Sequence, residues 1–152
     1  MNPNFYWLGA AGLALAALLV LQGCRHKPTP EERLESFIKE RGASSGNNVF
    51  RDTVEGKPLV LLLESCKVYR LEATSEAVTQ QEVLRPGFVL WFTACTSQKV
   101  WREGQYIFAE LINIQVGAGG GNASGGTYRS KNARDWEKQT RKGWLPVAEA
   151  QQ

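Results

Sequence analysis

The strongest nucleophiles in this sequence are the thiols of its three cysteines. One of these cysteines stands apart from the other two. Cys24 directly follows an apolar run, whereas Cys66 and Cys95 lie further along the chain. In an oxidising compartment that pair could close a loop of about 30 residues and stabilise the fold by roughly 3 kcal/mol. In a reducing compartment the two thiols would pack as small hydrophobic side chains. The pattern favours a Cys66–Cys95 disulfide if the domain is exported.

The position of the single histidine excludes several kinds of catalytic site. His26 lies two residues after Cys24, too close to the apolar run to reach an active site inside the downstream domain. Ser-His-Asp and Cys-His catalysis need a histidine base there, and three cysteines make no convincing four-ligand zinc site. Paired carboxylates, as in sugar hydrolysis, stay formally open; the candidates are Glu64, Glu72, Glu103 and Glu110. We therefore expect no enzyme activity, no metal and no cofactor.

A glycine-rich stretch, VGAGGGNASGGTYRS, has some features of a phosphate-binding loop. Gly120 and Gly125 have the right spacing, and Gly126 and Thr127 follow. The lysine that contacts the β- and γ-phosphates is missing, and the spacing also fails the dinucleotide pattern. We interpret residues 117–126 as a mobile surface loop and expect no nucleotide.

A charge-free apolar run of 17 residues, residues 5–21, precedes Cys24. As a helix it would be about 25 Å long, at the short end for crossing a hydrocarbon core of roughly 30 Å. The residues that close it, Leu21, Gln22, Gly23 and Cys24, resemble the lipobox of bacterial lipoproteins, in which an aliphatic residue and a small residue precede the cysteine. The resemblance covers residues 1–24 alone.

This resemblance implies a processed and acylated protein. The Gly23–Cys24 bond would be cut and the Cys24 thiol would carry a diacylglycerol. Two or three acyl chains would then hold the protein on a membrane, where one chain alone binds only marginally. Because Arg25 and not Asp follows Cys24, the resemblance further implies sorting to the outer membrane, with the domain facing the periplasm.

The charges around the apolar run support a competing interpretation. No Lys or Arg precedes the run, whereas Arg25 and Lys27 follow it. The positive-inside rule then favours an uncleaved single span of the inner membrane, with the domain in the cytoplasm. The two interpretations place one domain in different compartments, and both stay open at this point.

Charge and composition after Cys24 limit the classes of partner. The 152 residues carry 18 basic and 15 acidic side chains, a net charge of +3, and 43% are hydrophobic. That charge is too small to imply nucleic acid, and the composition is that of one ordinary globular domain.

The sequence after a polar tether, residues 24–30, predicts a helix. Thr29 can cap its free N–H groups, Pro30 fits the first helical position and Gly42 can end it. Helical spacing places a narrow stripe on one face, made of Leu34, Phe37, Ile38 and Arg41. We expect this stripe to pack against the domain.

Apolar runs predict buried strands in the middle of the chain. Residues 59–63 are continuously apolar, and residues 88–96 and 104–116 are two further strand-like runs. Residues 75–84 show partial helical periodicity. The aromatic side chains of this region are expected in the core: Trp91, Phe92, Trp101, Tyr106 and Phe108.

Residues 130–142 predict a C-terminal surface helix, ended by Gly143 and held by two tryptophans. Six basic and two acidic side chains lie between residues 129 and 142. Such a run is typical of a solvated face, and a partner surface is the alternative. The candidate residues of that surface are Arg134, Trp136, Lys138, Arg141 and Trp144.

Together these features predict a signal segment at residues 1–23, the lipidated tether and one α+β domain at residues 31–148. The expected fold has an N-terminal helix, a mostly antiparallel sheet of about four to six strands and a C-terminal surface helix. The expected function is non-catalytic: an accessory, assembly or binding subunit of a cell-envelope complex that serves secretion, conjugation or a surface appendage. The alternatives are the single-span inner-membrane subunit and a carboxylate-based envelope hydrolase.

Overall fold

The computed structural model describes residues 26–42, 48–87, 93–115 and 123–150. Within these ranges the chain forms two antiparallel sheets and two helices, α1 (Pro30–Glu40) and α2 (Val147–Ala150). The four-stranded sheet consists of β1 (Val49–Val54), β2 (Lys57–Glu64), β3 (Lys67–Ala73) and β4 (Val78–Leu84). The five-stranded sheet consists of β5 (Thr93–Glu103), β6 (Tyr106–Gln115), β7 (Ala123–Ser130), β8 (Glu137–Thr140) and β9 (Gly143–Pro146). In each sheet the spatial order of the strands is also their order along the chain.

Two tight turns join the first three strands of the four-stranded sheet. Glu55 and Gly56 join β1 to β2, and Ser65 and Cys66 join β2 to β3, with positive φ angles at all four residues. This conformation matches the twist of paired strands but costs about 1 to 2 kcal/mol at a residue other than glycine. At Cys66 the backbone N–H donates to Gln98 Oε1 at 3.1 Å, a contact that helps to offset this cost.

Alternating side chains of both sheets meet in one shared core. Leu59 and Leu61 of β2 and Ile107, Ala109 and Leu111 of β6 are at most 2% exposed. They belong to a single cluster of packed residues that also contains Cys66. The two sheets therefore pack face to face as a sandwich.

Helix α1 covers the opposite face of the four-stranded sheet. Its Ile38 is 4% exposed and packs with Leu62 of β2 and Leu71 of β3, beside Leu34 and Phe37. Thr29 and Glu32 form the reciprocal hydrogen bonds of a capping box at its first turn. The N-terminal helix and its apolar stripe are thus as the sequence predicts, and the domain has three layers: helix, sheet and sheet.

A disulfide and a row of polar contacts join the sheets along one side. Cys66 and Cys95 are bonded, with 5.4 Å between their Cα atoms. Asp52 of β1 accepts a hydrogen bond from Arg102 of β5. Beside them, Gln98 Nε2 donates to Asn48 Oδ1 at 3.1 Å.

Three expectations about secondary structure are wrong. The residues predicted as a C-terminal surface helix, 130–142, form a turn and strand β8, which pairs with β9; the C-terminal helix that does occur is the short α2. Residues 75–84 form mainly β4 and no helix. The strands form two sheets where one sheet of four to six was expected. In the first two cases pairing with the adjacent strands outweighs the local helical preference.

Candidate functional site

The outer face of the five-stranded sheet carries a cluster of aromatic and basic side chains. We call it the aromatic–basic face and define it as Trp101, Tyr106, Phe108, Arg129 and Trp144. All five side chains are partly exposed. Such residue types are enriched where proteins anchor their partners.

Strand register positions the centre of this face. Trp101 of β5 lies opposite Phe108 of β6, and Phe108 lies opposite Arg129 of β7. Because side chains alternate along a strand, the neighbours of Phe108, Ile107 and Ala109, point to the core and leave the ring outward. The same alternation turns Tyr106 outward.

The rings pack against one another. Trp101 and Phe108 are stacked, with 5.4 Å between ring centroids and 14° between planes. Tyr106 and Trp144 approach Phe108 edge-on, at 6.2 Å and 5.9 Å. These geometries are the favoured ones for aromatic pairs, so the face is held in one arrangement.

Arg129 lies between two of these rings. Its guanidinium carbon is 4.5 Å from the centroid of Tyr106 and 4.4 Å from that of Trp144, and its Nε donates to Glu137 at 2.6 Å. Cation–π attraction and the ion pair together fix the guanidinium. The planar cation therefore joins β7 to β6 and to the hairpin of β8 and β9.

Two lysines add positive charge to the aromatic–basic face. Lys99 Nζ lies 5.4 Å from the centroid of Trp101, and Lys131 Nζ lies 5.2 Å from that of Tyr106. Lys131 and Tyr106 also line a cavity of about 420 Å³ at the margin of the face. The arrangement presents apolar ring edges between ammonium groups, which suits an amphipathic partner with acidic groups.

The face differs from the expectation that Trp101, Tyr106 and Phe108 are core residues. Both alternating sets of β6 are apolar, so alternation alone does not show which set is buried. Glu110 was the available signal, because it shares the outward face with Phe108 and would be costly to bury.

The five residues proposed from sequence as a partner surface do not lie together. Trp136 is 6% exposed and belongs to the core, whereas Trp144 belongs to the aromatic–basic face. Arg134 and Arg141 are exposed. Lys138 lies opposite the buried Tyr128, with its Nζ 5.9 Å from the ring centroid.

Tyr128 and Trp136 each bury a polar atom without a hydrogen-bond partner, the Tyr128 hydroxyl and Trp136 Nε1. Burial raises the pKa of Tyr128 to about 12, because the charged phenolate is disfavoured away from water.

The other residues considered for chemistry lie apart from the aromatic–basic face or outside the described residues. Gly23 and Cys24, with the whole lipobox-like segment, lie outside the described residues. His26 Nε2 is 3.1 Å from Glu32 Oε2 at the start of α1. The hydrogen bond from the Thr29 N–H, and then that from His26, hold the pKa of Glu32 below its ordinary value.

Three of the four candidate carboxylates have partners within the domain. Glu64 pairs with Arg41 at 3.0 Å and Glu72 with Arg70 at 2.9 Å, while Glu110 accepts a hydrogen bond from Ser97 Oγ at 2.8 Å. No group of three or more metal-binding side chains occurs within the described ranges.

The glycine-rich stretch continues into a strand. Gly125, Gly126 and Thr127 belong to β7 and pair with β6. The residues before Ala123 in this stretch lie outside the described ranges. A phosphate-binding loop would lead into a helix, whereas this segment leads into a sheet.

Neither α1 nor α2 is long and apolar enough to cross a membrane. Comparison with family models, with curated proteins and with solved structures finds no match to this chain.

Proposed function

We propose that this chain is a lipid-anchored, non-catalytic binding subunit of a cell-envelope complex. Cys24 carries the acyl chains at the periplasmic side of the outer membrane, and the aromatic–basic face binds a partner protein. Complexes for secretion, conjugation or surface appendages are the classes of assembly that such a subunit would serve.

The observation that carries the binding role is the aromatic–basic face itself. Four large rings and an arginine stay partly exposed although the domain already has a core, and their mutual packing holds them in place. A preorganised face loses little side-chain entropy when a partner binds. Its lysines would contribute to the rate and specificity of association.

The disulfide supports the exported location. Cys66 is fully buried and bonded to Cys95, and this bond connects the two sheets. Structural disulfides are common in periplasmic and secreted proteins and rare in the bacterial cytoplasm. This favours the lipoprotein over the inner-membrane subunit with a cytoplasmic domain.

Metabolic labelling tests the anchor. Cells fed a clickable fatty acid should label the wild-type protein and should not label Cys24→Ser. Absence of label from the wild type contradicts lipidation. Alkylation of free thiols after denaturation without reductant tests the compartment, because Cys66 and Cys95 would then react if the domain had folded in the cytoplasm.

Photo-crosslinking in intact cells tests the binding face. A photoreactive amino acid at Lys131, beside Tyr106, should give a discrete product of higher mass. The same amino acid at Lys57, an exposed residue of the other sheet, serves as the matched control. Equal products from both positions, or none from Lys131, contradict the assigned surface.

A further inference from the structure

A larger cavity, of about 890 Å³, is lined by residues of both sheets. We call it the inter-sheet cavity. Leu84 and residues 85–87 line one side, and Cys95, Asn113 and Trp136 line the other. Its size falls in the range of small-molecule sites, and it is distinct from the aromatic–basic face.

One buried polar group in its wall lacks a partner. Trp136 is 6% exposed, and its Nε1–H has no hydrogen-bond acceptor. Asn113, which also lines the cavity, is 4% exposed. Buried polar groups are almost always paired, so the Nε1–H of Trp136 needs an explanation. Trp136 can only donate, and the missing partner must therefore be an acceptor.

The charges around the cavity are predominantly positive. Lys67, Arg85 and Arg134 line it together with one carboxylate, Glu82. Glu82 forms ion pairs with two of these cations, because its carboxylate lies 2.7 Å from Arg85 Nε and 3.4 Å from Lys67 Nζ. The hydrogen bond from Arg85 lowers the pKa of Glu82 below its ordinary value, so this carboxylate stays ionised at neutral pH. Arg134 is exposed and has no carboxylate partner among the described residues.

The rest of the wall combines apolar and polar residues. Its apolar part contains the Cys66–Cys95 disulfide, Leu84, Pro86 and Val147, and Ser65 and Thr93 also line the cavity. An occupant that suits this cavity thus has an acceptor-rich anionic end and a short apolar body.

We propose that the inter-sheet cavity binds an amphipathic carboxylate. The carboxylate accepts hydrogen bonds from Trp136 and Arg134, and its apolar part lies against the disulfide and Leu84. A free organic acid and the C-terminus of a peptide share this chemistry. The inference stands independently of the lipid anchor and of the partner surface.

Fluorine NMR of the full chain in nanodiscs, labelled with fluorotryptophan, tests this site. Phenylbutyrate is the organic-acid probe, and acetyl-dileucine is the peptide probe. Phenylbutyramide and acetyl-dileucine amide are the matched neutral controls, and empty nanodiscs correct for partitioning. The Trp136 resonance is assigned from the spectrum of Trp136→Phe.

We expect one or both acids to shift the Trp136 resonance in a saturable manner, and both amides to leave it unchanged. Preference for phenylbutyrate identifies a small-molecule ligand, and preference for acetyl-dileucine identifies a peptide terminus. No shift at millimolar probe, or equal shifts from acid and amide, overturns the proposal.

A pair of arginine variants provides the second measurement. Arg134→Ala should weaken binding of the acid by about tenfold, since it removes the unpaired cation. Arg141→Ala, which removes an exposed arginine from the β8–β9 turn, should bind as the wild type does. Both positions are exposed, so both variants should fold. Equal affinities in the two variants overturn the assignment of Arg134.

Discussion

Gly125 lies where an added side chain would clash with the neighbouring strand. Its φ angle is +103°, and an added Cβ would lie 2.0 Å from the carbonyl oxygen of Leu111 on the neighbouring strand. Gly125→Ala should therefore lower the free energy of unfolding by more than about 2 kcal/mol, through a clash as well as strain. Urea unfolding measures this change.

Gly104 provides the control for that substitution. It also has a positive φ, +57°, but an added Cβ there meets no atom within 4 Å. Gly104→Ala should cost only about 1 kcal/mol, the price of the backbone conformation alone. Similar losses from the two variants would contradict the close approach of β7 to β6.

Arg129 is the residue that joins the parts of the aromatic–basic face. Lysine would retain the positive charge but not the planar group that stacks on Tyr106 and Trp144. Arg129→Lys should thus destabilise the domain by about 1 kcal/mol and change the tryptophan fluorescence of the folded state. Arg141→Lys, in an exposed turn, should change neither quantity. Unchanged stability and fluorescence of Arg129→Lys would show that the stacking of Arg129 contributes nothing to stability.

Among the elements, helix α1 depends on one buried side chain for its attachment. Ile38 is the single buried residue of α1, and its neighbours Leu34 and Phe37 are only partly buried. Ile38→Ala should cost about 2 to 4 kcal/mol. Hydrogen exchange should become faster in the amides of α1 and remain slow in β6, because the sandwich core lies on the other side of the sheet. Lys39→Ala, on the exposed side, is the control.

The hairpin of β8 and β9 shows why an element can be misjudged from its local sequence. Residues 130–142 contain helix-favouring Lys, Arg and Glu and a glycine at the end, all of which indicate a helix. In the fold, Tyr128 and Arg129 of β7 pair with Lys138 and Glu137, and Trp144 packs against Phe108. Backbone pairing with β7 and burial of aromatic rings outweigh local propensities of a few tenths of a kcal/mol per residue.

For the whole molecule, the disulfide is the covalent link between the two sheets. Cys66→Ala with Cys95→Ala should lower the free energy of unfolding by about 3 to 4 kcal/mol, since the unfolded chain is no longer restricted. Reductant should destabilise the wild type and leave the double variant unchanged. Insensitivity of the wild type to reductant in urea unfolding would contradict a stabilising role for the bond.

The contact between Asp52 and Arg102 makes the joining of the sheets dependent on pH. Burial alone would raise the pKa of Asp52, but the hydrogen bonds from Arg102 and from the Thr53 N–H outweigh it, so this pKa lies below its ordinary value of 3.8. The contribution of ionised Asp52 to the free energy of unfolding is complete above pH 3.8 and is lost as the pH falls through the folded-state pKa.

Asp52→Asn tests this dependence. The variant should lose about 1 kcal/mol at neutral pH, because the pair is partly exposed. Its stability should then fall less steeply than that of the wild type under acid conditions. Parallel stability curves of the two proteins between neutral and acid pH would contradict the assignment. Glu55→Gln, in an exposed turn, is the matched control.

The sequence by itself was sufficient for features that depend on residues close together along the chain, or on the number of residues of one type. Thr29, Pro30 and the spacing of Leu34, Phe37 and Ile38 determine α1 through local capping and periodicity. Setting Cys24 aside left Cys66 and Cys95 as a pair, and the sequence favoured their bond on condition of export; the structure contains the bond. The lipobox-like residues at Cys24 are a local signal of the same kind, whose test is the labelling experiment.

Only the tertiary structure decided which side of each strand is buried. On β6 the sets containing Phe108 and Ile107 are both apolar, and the choice depends on how the facing sheet packs. The same holds for the inter-sheet cavity, where Leu84 of β4 and Asn113 of β6 line one space because the two sheets pack together. Such contacts join residues that are distant along the chain, and no local pattern encodes them.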